Sequence, residues 1–237
     1  EPRPALLLDH ITSDQQWALT AFRALDRPGR RDPAEIFAAL DWETSGWQKS
    51  SLFQPLFAAA LDLEWPILPA NAPKTDVRRV ARGTVSALPG EEVHRLGLDV
   101  PLPDAGQAAL IDELEASHCG LMPRTAFGGM ADAQRYRDAH MARAVGDAVP
   151  VHGRAVLLAG NGHVQRDRGV PWHLTRLAPD VHIVSVLYLE VSESKRVPGD
   201  YVRPADGSLR APADLIVLAP RAVRTDPCIS MRKRFGR

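Results

Sequence analysis

The sequence predicts an α/β fold with a mostly parallel central sheet and helices on both faces of that sheet. Short apolar runs alternate along the chain with longer segments that carry helix caps and an apolar face. Strands with nearly continuous apolar runs are typical of parallel sheets, because helices cover both faces of such a sheet. The 237 residues suit one large domain or two small ones.

Local signals place the individual elements. Asp32 and Pro33 predict a helix start, as an N-cap residue followed by proline in the first turn. Residues 83–106 are rich in proline, glycine and charge, so we expect an extended connection there, and a polar loop over 192–213. The predicted strands cover residues 5–8, 65–71, 155–159, 182–191 and 214–219. The predicted helices cover residues 12–26, 32–40, 51–61, 73–82, 106–118, 131–145 and 171–177.

Composition excludes several classes of protein. The formal net charge is +0, which gives no support for broad binding of nucleic acid, and the basic residues 232–234 read as a solvated tail. No apolar run reaches the roughly 18 residues that a membrane-spanning helix needs. The sequence has no phosphate-binding glycine loop, dinucleotide fingerprint or serine-hydrolase elbow. It begins at Glu1 without a signal-peptide pattern, and we expect the natural start to lie further upstream.

The strongest candidate site follows the predicted strand 155–159, in the segment GNGH. In an open α/β sheet, ligands bind beyond the carboxyl ends of the strands, and His163 and Asn161 occupy that position. We expect the glycines to supply positive φ angles in this turn. Asp167, four residues on, is a carboxylate that could fix the tautomer of His163.

Asp9 and His10 end the first predicted strand and would open onto the same edge as His163. One acidic residue and two histidines could hold a metal ion, through His163 and His10, or perform acid–base chemistry. Ordinary loop and capping roles are the alternative. Trp42 and Trp47 flank a short turn, where they either pack conventionally or form an apolar wall for a cofactor.

The helix segment AQRYRDAHMA carries a second group of candidates. Arg137 and His140 share a helix face, and a guanidinium there could grip a carboxylate, including a haem propionate. Tyr136 is a candidate because a phenolate can ligate ferric haem. A solvated helix face is the alternative. Cys119 and Cys228 lack metal-site spacing, which leaves one disulfide or two free thiols open.

Several segments together resemble the ChaN-like haem-binding family of bacterial lipoproteins, which is implicated in iron uptake. The segments occur in this order: LDWETSGWQKSSLFQPLFAAAL (40–61), ASHCGLMP (116–123), GMADAQRYRDAHMA (129–142), LLAGNGHVQRDRGVP (157–171) and RTDPC (224–228). The resemblance spans nearly the whole chain and implies one domain over residues 1–237. It implies haem as the ligand, a homodimer that can hold haem between its subunits, and a bacterial envelope location, in the periplasm or anchored to the outer membrane by a lipid outside this chain. An envelope location favours the Cys119–Cys228 disulfide.

The family's first segment, a strand ending in Gly-Glu-x-His, has no counterpart here, and Phe53 stands where relatives often carry a tyrosine. Kinship to Tiki-type and erythromycin-esterase-like enzymes supports an alternative function, a metal-dependent hydrolase that uses Asp9 and His163. We expect a non-catalytic haem-binding protein of haem or iron uptake or storage. A relative that binds nothing is the third possibility.

Overall fold

The structure is a computed structural model that describes residues 2–24, 32–195, 197–202 and 212–234. The last residues of the first predicted helix, and residues 196 and 203–211 of the predicted polar loop, lie outside these ranges. The Cα packing groups the chain into two compact units, residues 1–76 with 140–159 and residues 77–139 with 160–237. The expectation of a single domain stays a prediction.

The first unit is built around a three-stranded parallel sheet. Its strands are β1 (Ala5–Thr12), β2 (Ile67–Asn71) and β3 (Ala155–Leu158), in the order β2–β1–β3. Leu6 of the central strand pairs with Ile67 on one side and Val156 on the other. Seven of the eight β1 residues are buried, as expected for a parallel strand covered on both faces.

Three helices cover one face of this sheet. They are α1 (Gln16–Ala24), α2 (Pro33–Ala39) and α3 (Gln54–Asp62). Leu6 and Leu8 point to the same face, since they are two residues apart in a strand, and they pack in one core cluster with Ile36 and Phe57. The predicted cap is confirmed, because the Asp32 carboxylate accepts the amide of Ala34 at 2.9 Å.

Two helices are shared by the two units. The first is α4 (Lys74–Gly83), and the other is α7 (Gly128–His152), the longest helix of the described chain. The α7 helix extends past the predicted end at residue 145 and includes Pro150 in its last turn. It ends before Gly153, whose φ of 70° provides the left-handed conformation that terminates helices.

The second unit is mainly helical and contains a two-stranded parallel sheet. Its remaining elements are α5 (Gly90–Arg95), α6 (Asp104–Ser117), α8 (Val170–Leu177), β4 (Val186–Glu190), α9 (Gly199–Val202), β5 (Leu215–Ala219) and α10 (Pro227–Arg234). The predicted apolar face of α6 is confirmed, since Leu110 packs with Ala131 and Trp172 in one cluster. In the described residues every helix is too short or too polar to cross a lipid bilayer.

The α/β fold class is confirmed, but several predicted details are wrong. The segment 83–106 contains α5, whose first turn is acidic and whose Arg95 bonds to Glu92, both favourable to a helix. The strand predicted over 182–191 is shorter, because the amide of Ser185 donates to the Asp214 carboxylate. The β4 and β5 strands pair with each other and do not extend the three-stranded sheet.

The polar segment 192–213 and the basic residues 232–234 also contain helical structure that was not predicted. The predicted loop over 192–213 includes α9, where the Asp200 carboxylate accepts the amide of Val197. Residues 232–234, predicted as a solvated tail, belong to α10, in which Arg232 and Lys233 are exposed.

A disulfide joins the turn after α6 to α10. It links Cys119 to Cys228, which are 109 residues apart in sequence. Its covalent loop excludes many conformations of the unfolded chain, which raises the free energy of unfolding of the native state.

We predict that reduction lowers the free energy of unfolding by about 3–5 kcal/mol, the usual range for a loop of this length. Urea unfolding with and without a reducing agent measures this loss. The double variant Cys119→Ser, Cys228→Ser is the control and should show the reduced stability under both conditions. Equal stability of the oxidised and reduced wild type would contradict the prediction.

Burial of a neutral histidine makes the second unit sensitive to acid. His173 of α8 is 1% exposed, and burial, assisted by the nearby cations Arg135 and Arg176, lowers its pKa to about 3. Because this pKa lies below that of the unfolded state, the unfolded chain takes up a proton first as the pH falls. Stability is therefore complete above about pH 6.5 and is lost progressively below it.

We predict that His173 alone removes about 1.4 kcal/mol of unfolding free energy between about pH 7.5 and pH 5.5. Denaturant unfolding at a series of pH values measures this slope. The variant His173→Phe should lose that part of the slope, whereas His94→Gln, at an exposed position, should keep it. Identical pH slopes for His173→Phe and the wild type would refute the assignment.

Candidate functional site

The Asn-Gly-His turn forms a short 3-10 helix, Asn161–Val164, that follows β3 in the chain. None of its glycines has a positive φ, so the expectation of left-handed geometry is wrong. Glycine is required by close approach a few residues later. A Cβ on Gly169 would lie 2.3 Å from the carbonyl oxygen of His163, so any other residue would push this turn apart.

His163 is buried beside a carboxylate of α7. Only 5% of the residue is exposed, and its Nδ1 lies 2.5 Å from Oδ1 of Asp138. Nε2 of Gln134 lies 3.0 Å from the same Nδ1. One ring nitrogen cannot both donate to a carboxylate and accept from an amide, and the shorter, charge-assisted contact to Asp138 decides that Nδ1 carries the proton.

The carboxylate expected beside His163 is a different one. Asp167 is exposed and accepts two hydrogen bonds from Arg168, so it does not orient the imidazole. Asp138 does so because it lies on the same face of α7 as Gln134, four residues earlier. A buried carboxylate–histidine pair of this kind fixes the tautomer and can stabilise an imidazolium.

The other candidates of the second unit have different surroundings. Asn161 is exposed, and its side-chain amide donates to the carbonyl of Tyr188 at 2.6 Å. Tyr136 is 2% exposed. Arg137 is half-buried, and its guanidinium lies 3.4 Å from Oε1 of Gln134. The helix α7 thus places Arg137 next in sequence to the residue that orients His163.

In the first unit, a buried polar pair joins the second half of β1 to the last residue of β2. Asp9 is 2% exposed and accepts a hydrogen bond of 2.7 Å from the Asn71 amide. The Asn71 oxygen in turn accepts the amide of Ala72. His140, on the part of α7 that belongs to this unit, has its Nδ1 3.1 Å from the carbonyl of Ala70, so Nδ1 carries the proton there too.

His10 lies in a cluster of aromatic rings, which we call the aromatic cage: Trp42, Trp47 and Phe53. The ring centroids of Trp47 and Phe53 are 4.3 and 4.7 Å from the imidazole, and Trp42 stacks on it at 5.8 Å. Burial lowers the pKa of His10, and the opposing effect of the Asp9 charge is smaller. The imidazole is therefore neutral over most of the physiological pH range.

Strand geometry separates two polar residues in the second half of β1, which extends to Thr12 and so past the predicted end at residue 8. Asp9 and His10 are adjacent in a strand, so their side chains leave on opposite faces of the sheet. Asp9 bonds to Asn71, and His10 faces the helices with Leu6 and Leu8. The described residues contain no group of three or more histidine, cysteine or acidic side chains placed to hold a metal ion. The metal role of His163 and His10 stays a prediction.

The residues around these sites differ in how well local sequence patterns predict them. Asp138 and Gln134 could be identified from the sequence, because they belong to the same predicted helix as Arg137 and His140. Their spacing in that helix puts these polar residues on neighbouring turns. Asn71 was visible only as the end of a strand. The contact of His10 with Phe53 depends on the packing of α3 against the sheet, which no local pattern reveals.

We predict that Asp138→Asn lowers the free energy of unfolding by about 2–4 kcal/mol, because it removes the charged partner of a buried histidine. It should also let the His163 proton redistribute to Nε2, which the ¹⁵N chemical shifts of the ring report. Asp167→Asn is the matched control and should change neither quantity. Equal effects of the two variants would show that Asp138 has no special role.

Comparison with known proteins identifies the family to which the chain belongs. Residues 1–174 match the family described as "Haem-binding uptake, Tiki superfamily, ChaN". The structure resembles that titled "Cofacial heme binding to ChaN of Campylobacter jejuni", with a TM-score of 0.61 and 21% identity, over 79% of this chain and 68% of that one. At this identity the likeness shows a common fold. No protein with curated annotation matches the sequence. The family match covers well over half of the chain, which therefore belongs to the ChaN family of haem-binding uptake proteins in the Tiki superfamily.

Proposed function

We propose that this chain binds haem and serves in haem or iron uptake or storage, without catalysing a reaction. The observation that carries the proposal is the match of residues 1–174 to a haem-binding uptake family. The Campylobacter jejuni protein of similar fold, ChaN, is described as binding haem cofacially. Because this chain has a similar α/β fold, haem is the first ligand to test.

The side chains of the first unit fit such a ligand. Haem is a flat, largely apolar ring with two carboxylates and an iron atom, and when bound it supplies an iron centre that takes nitrogen or oxygen ligands. The aromatic cage offers flat apolar side chains around a neutral imidazole.

The location and assembly belong to the same proposal. A disulfide between Cys119 and Cys228 suits an oxidising compartment, which supports a place in the bacterial envelope. We infer a homodimer that holds haem between its subunits, in line with the cofacial haem binding named for the Campylobacter protein. Membrane contact would come through a lipid anchor outside this chain.

One observation favours a second function, a metal-dependent hydrolase. The buried pair of Asp138 and His163 resembles the carboxylate–histidine arrangement that prepares a general base. Elemental analysis after dialysis against divalent metals tests this function. A stoichiometric metal ion with ester or peptide hydrolysis would support it, and the lack of both would remove it.

We predict that titration with haemin gives a saturable change in the Soret absorbance at micromolar protein, because the protein replaces water around the porphyrin. Binding to the chain unfolded in denaturant is the control and should not saturate. A spectrum that remains that of free haemin at every protein concentration would exclude haem binding. The same titration on His163→Ala tests the predicted contact, since unchanged binding would remove His163 from the haem site.

A further inference from the structure

The His10 ring makes no hydrogen bond with any described residue. Its Nδ1 is fully buried and has no partner. The residue as a whole is only partly buried, so the accessible part of the ring lies away from Nδ1. An imidazole with neither nitrogen satisfied by the protein loses hydration without compensation, a cost that a ligand at the accessible nitrogen would offset.

The chemistry of this imidazole suits a metal. A histidine ligates through the lone pair of a neutral ring nitrogen, and protonation competes with that bond. With Nδ1 buried, Nε2 is the nitrogen that can reach an iron atom.

The surroundings suit a porphyrin more than a bare ion. Trp47 and Phe53 are half-buried, so part of each ring beside His10 remains open to a ligand. Leu52, next to Phe53 in sequence, is 70% exposed and adds apolar surface. A hydrated divalent ion would gain little from such neighbours, whereas the face of a haem ring would bury apolar area against them.

The other candidate ligands are placed less favourably. The Nδ1 of His163 is committed to Asp138, and the residue is 5% exposed. Tyr136 is 2% exposed, so its phenol cannot meet a ligand as large as haem without rearrangement of the core. His118 has its Nδ1 2.7 Å from the Leu114 carbonyl at the end of α6.

We propose that His10 is the axial ligand of the haem iron in this chain, with Trp47 and Phe53 packed against the porphyrin. This assignment rests on the proposed haem-binding function and names the residue that carries it. Iron gains a nitrogen ligand from Nε2, and no electron transfer or bond cleavage is involved.

The test compares haemin complexes of the wild type, His10→Phe and His10→Gly. His10→Phe keeps an apolar ring in the aromatic cage and preserves folding, whereas His10→Gly leaves space for an added imidazole. His94→Ala, at an exposed histidine, is the matched control. The readouts are haemin affinity by titration and the iron–histidine stretch of the ferrous complex by resonance Raman spectroscopy.

We expect the wild type and His94→Ala to show the iron–histidine stretch and His10→Phe to lose it, with haemin bound at least tenfold more weakly. Added imidazole should restore a nitrogen-ligated spectrum to His10→Gly, which a purely structural role would not produce. An unchanged spectrum and affinity in His10→Phe would overturn the assignment while leaving haem binding intact. Absence of saturable binding by the wild type would overturn the haem function itself.

Discussion

The parallel pairing of β1 on both sides is the constraint on which the first unit depends. A central strand buried on two faces has its register fixed, because a shift of one residue would exchange the two sets of side chains. That register sends Leu6 and Leu8 toward the helices. Beyond Leu8 the pairing is irregular, and there His10 contacts Trp47 and Phe53 whereas Asp9 bonds to Asn71. Asp9 and His10 therefore have separate surroundings, although they are neighbours in sequence.

In the second unit, His163 is held by contacts of a different kind. His163 is buried against Asp138, and Gly169 approaches its carbonyl so closely that no side chain fits there. Both contacts fix the turn and the ring together, which gives the histidine one orientation. A residue held so firmly suits a positioning or acid–base role, whereas the half-buried His10 lacks such contacts and remains available for coordination.

The sequence predicted the fold class and most helices, because apolar periodicity and caps such as Asp32 act locally. It failed at α5, where acidic first-turn residues outweighed a composition rich in proline and glycine. It placed His163 in a turn after a strand but assigned it Asp167, a sequence neighbour, whereas the carboxylate partner comes from α7. The aromatic cage comes from two turns that follow β1 in the chain, and only tertiary packing brings its rings against His10 of that strand.

An anomalous difference map, measured at the iron absorption edge on crystals grown with haemin, tests most directly whether His10 ligates the haem iron. We predict one strong iron peak beside the His10 ring, within coordination distance of Nε2 and next to Trp47 and Phe53. A peak beside another residue, or no ordered iron in crystals of a protein that otherwise folds as described, would contradict the claim that β1 presents the haem ligand.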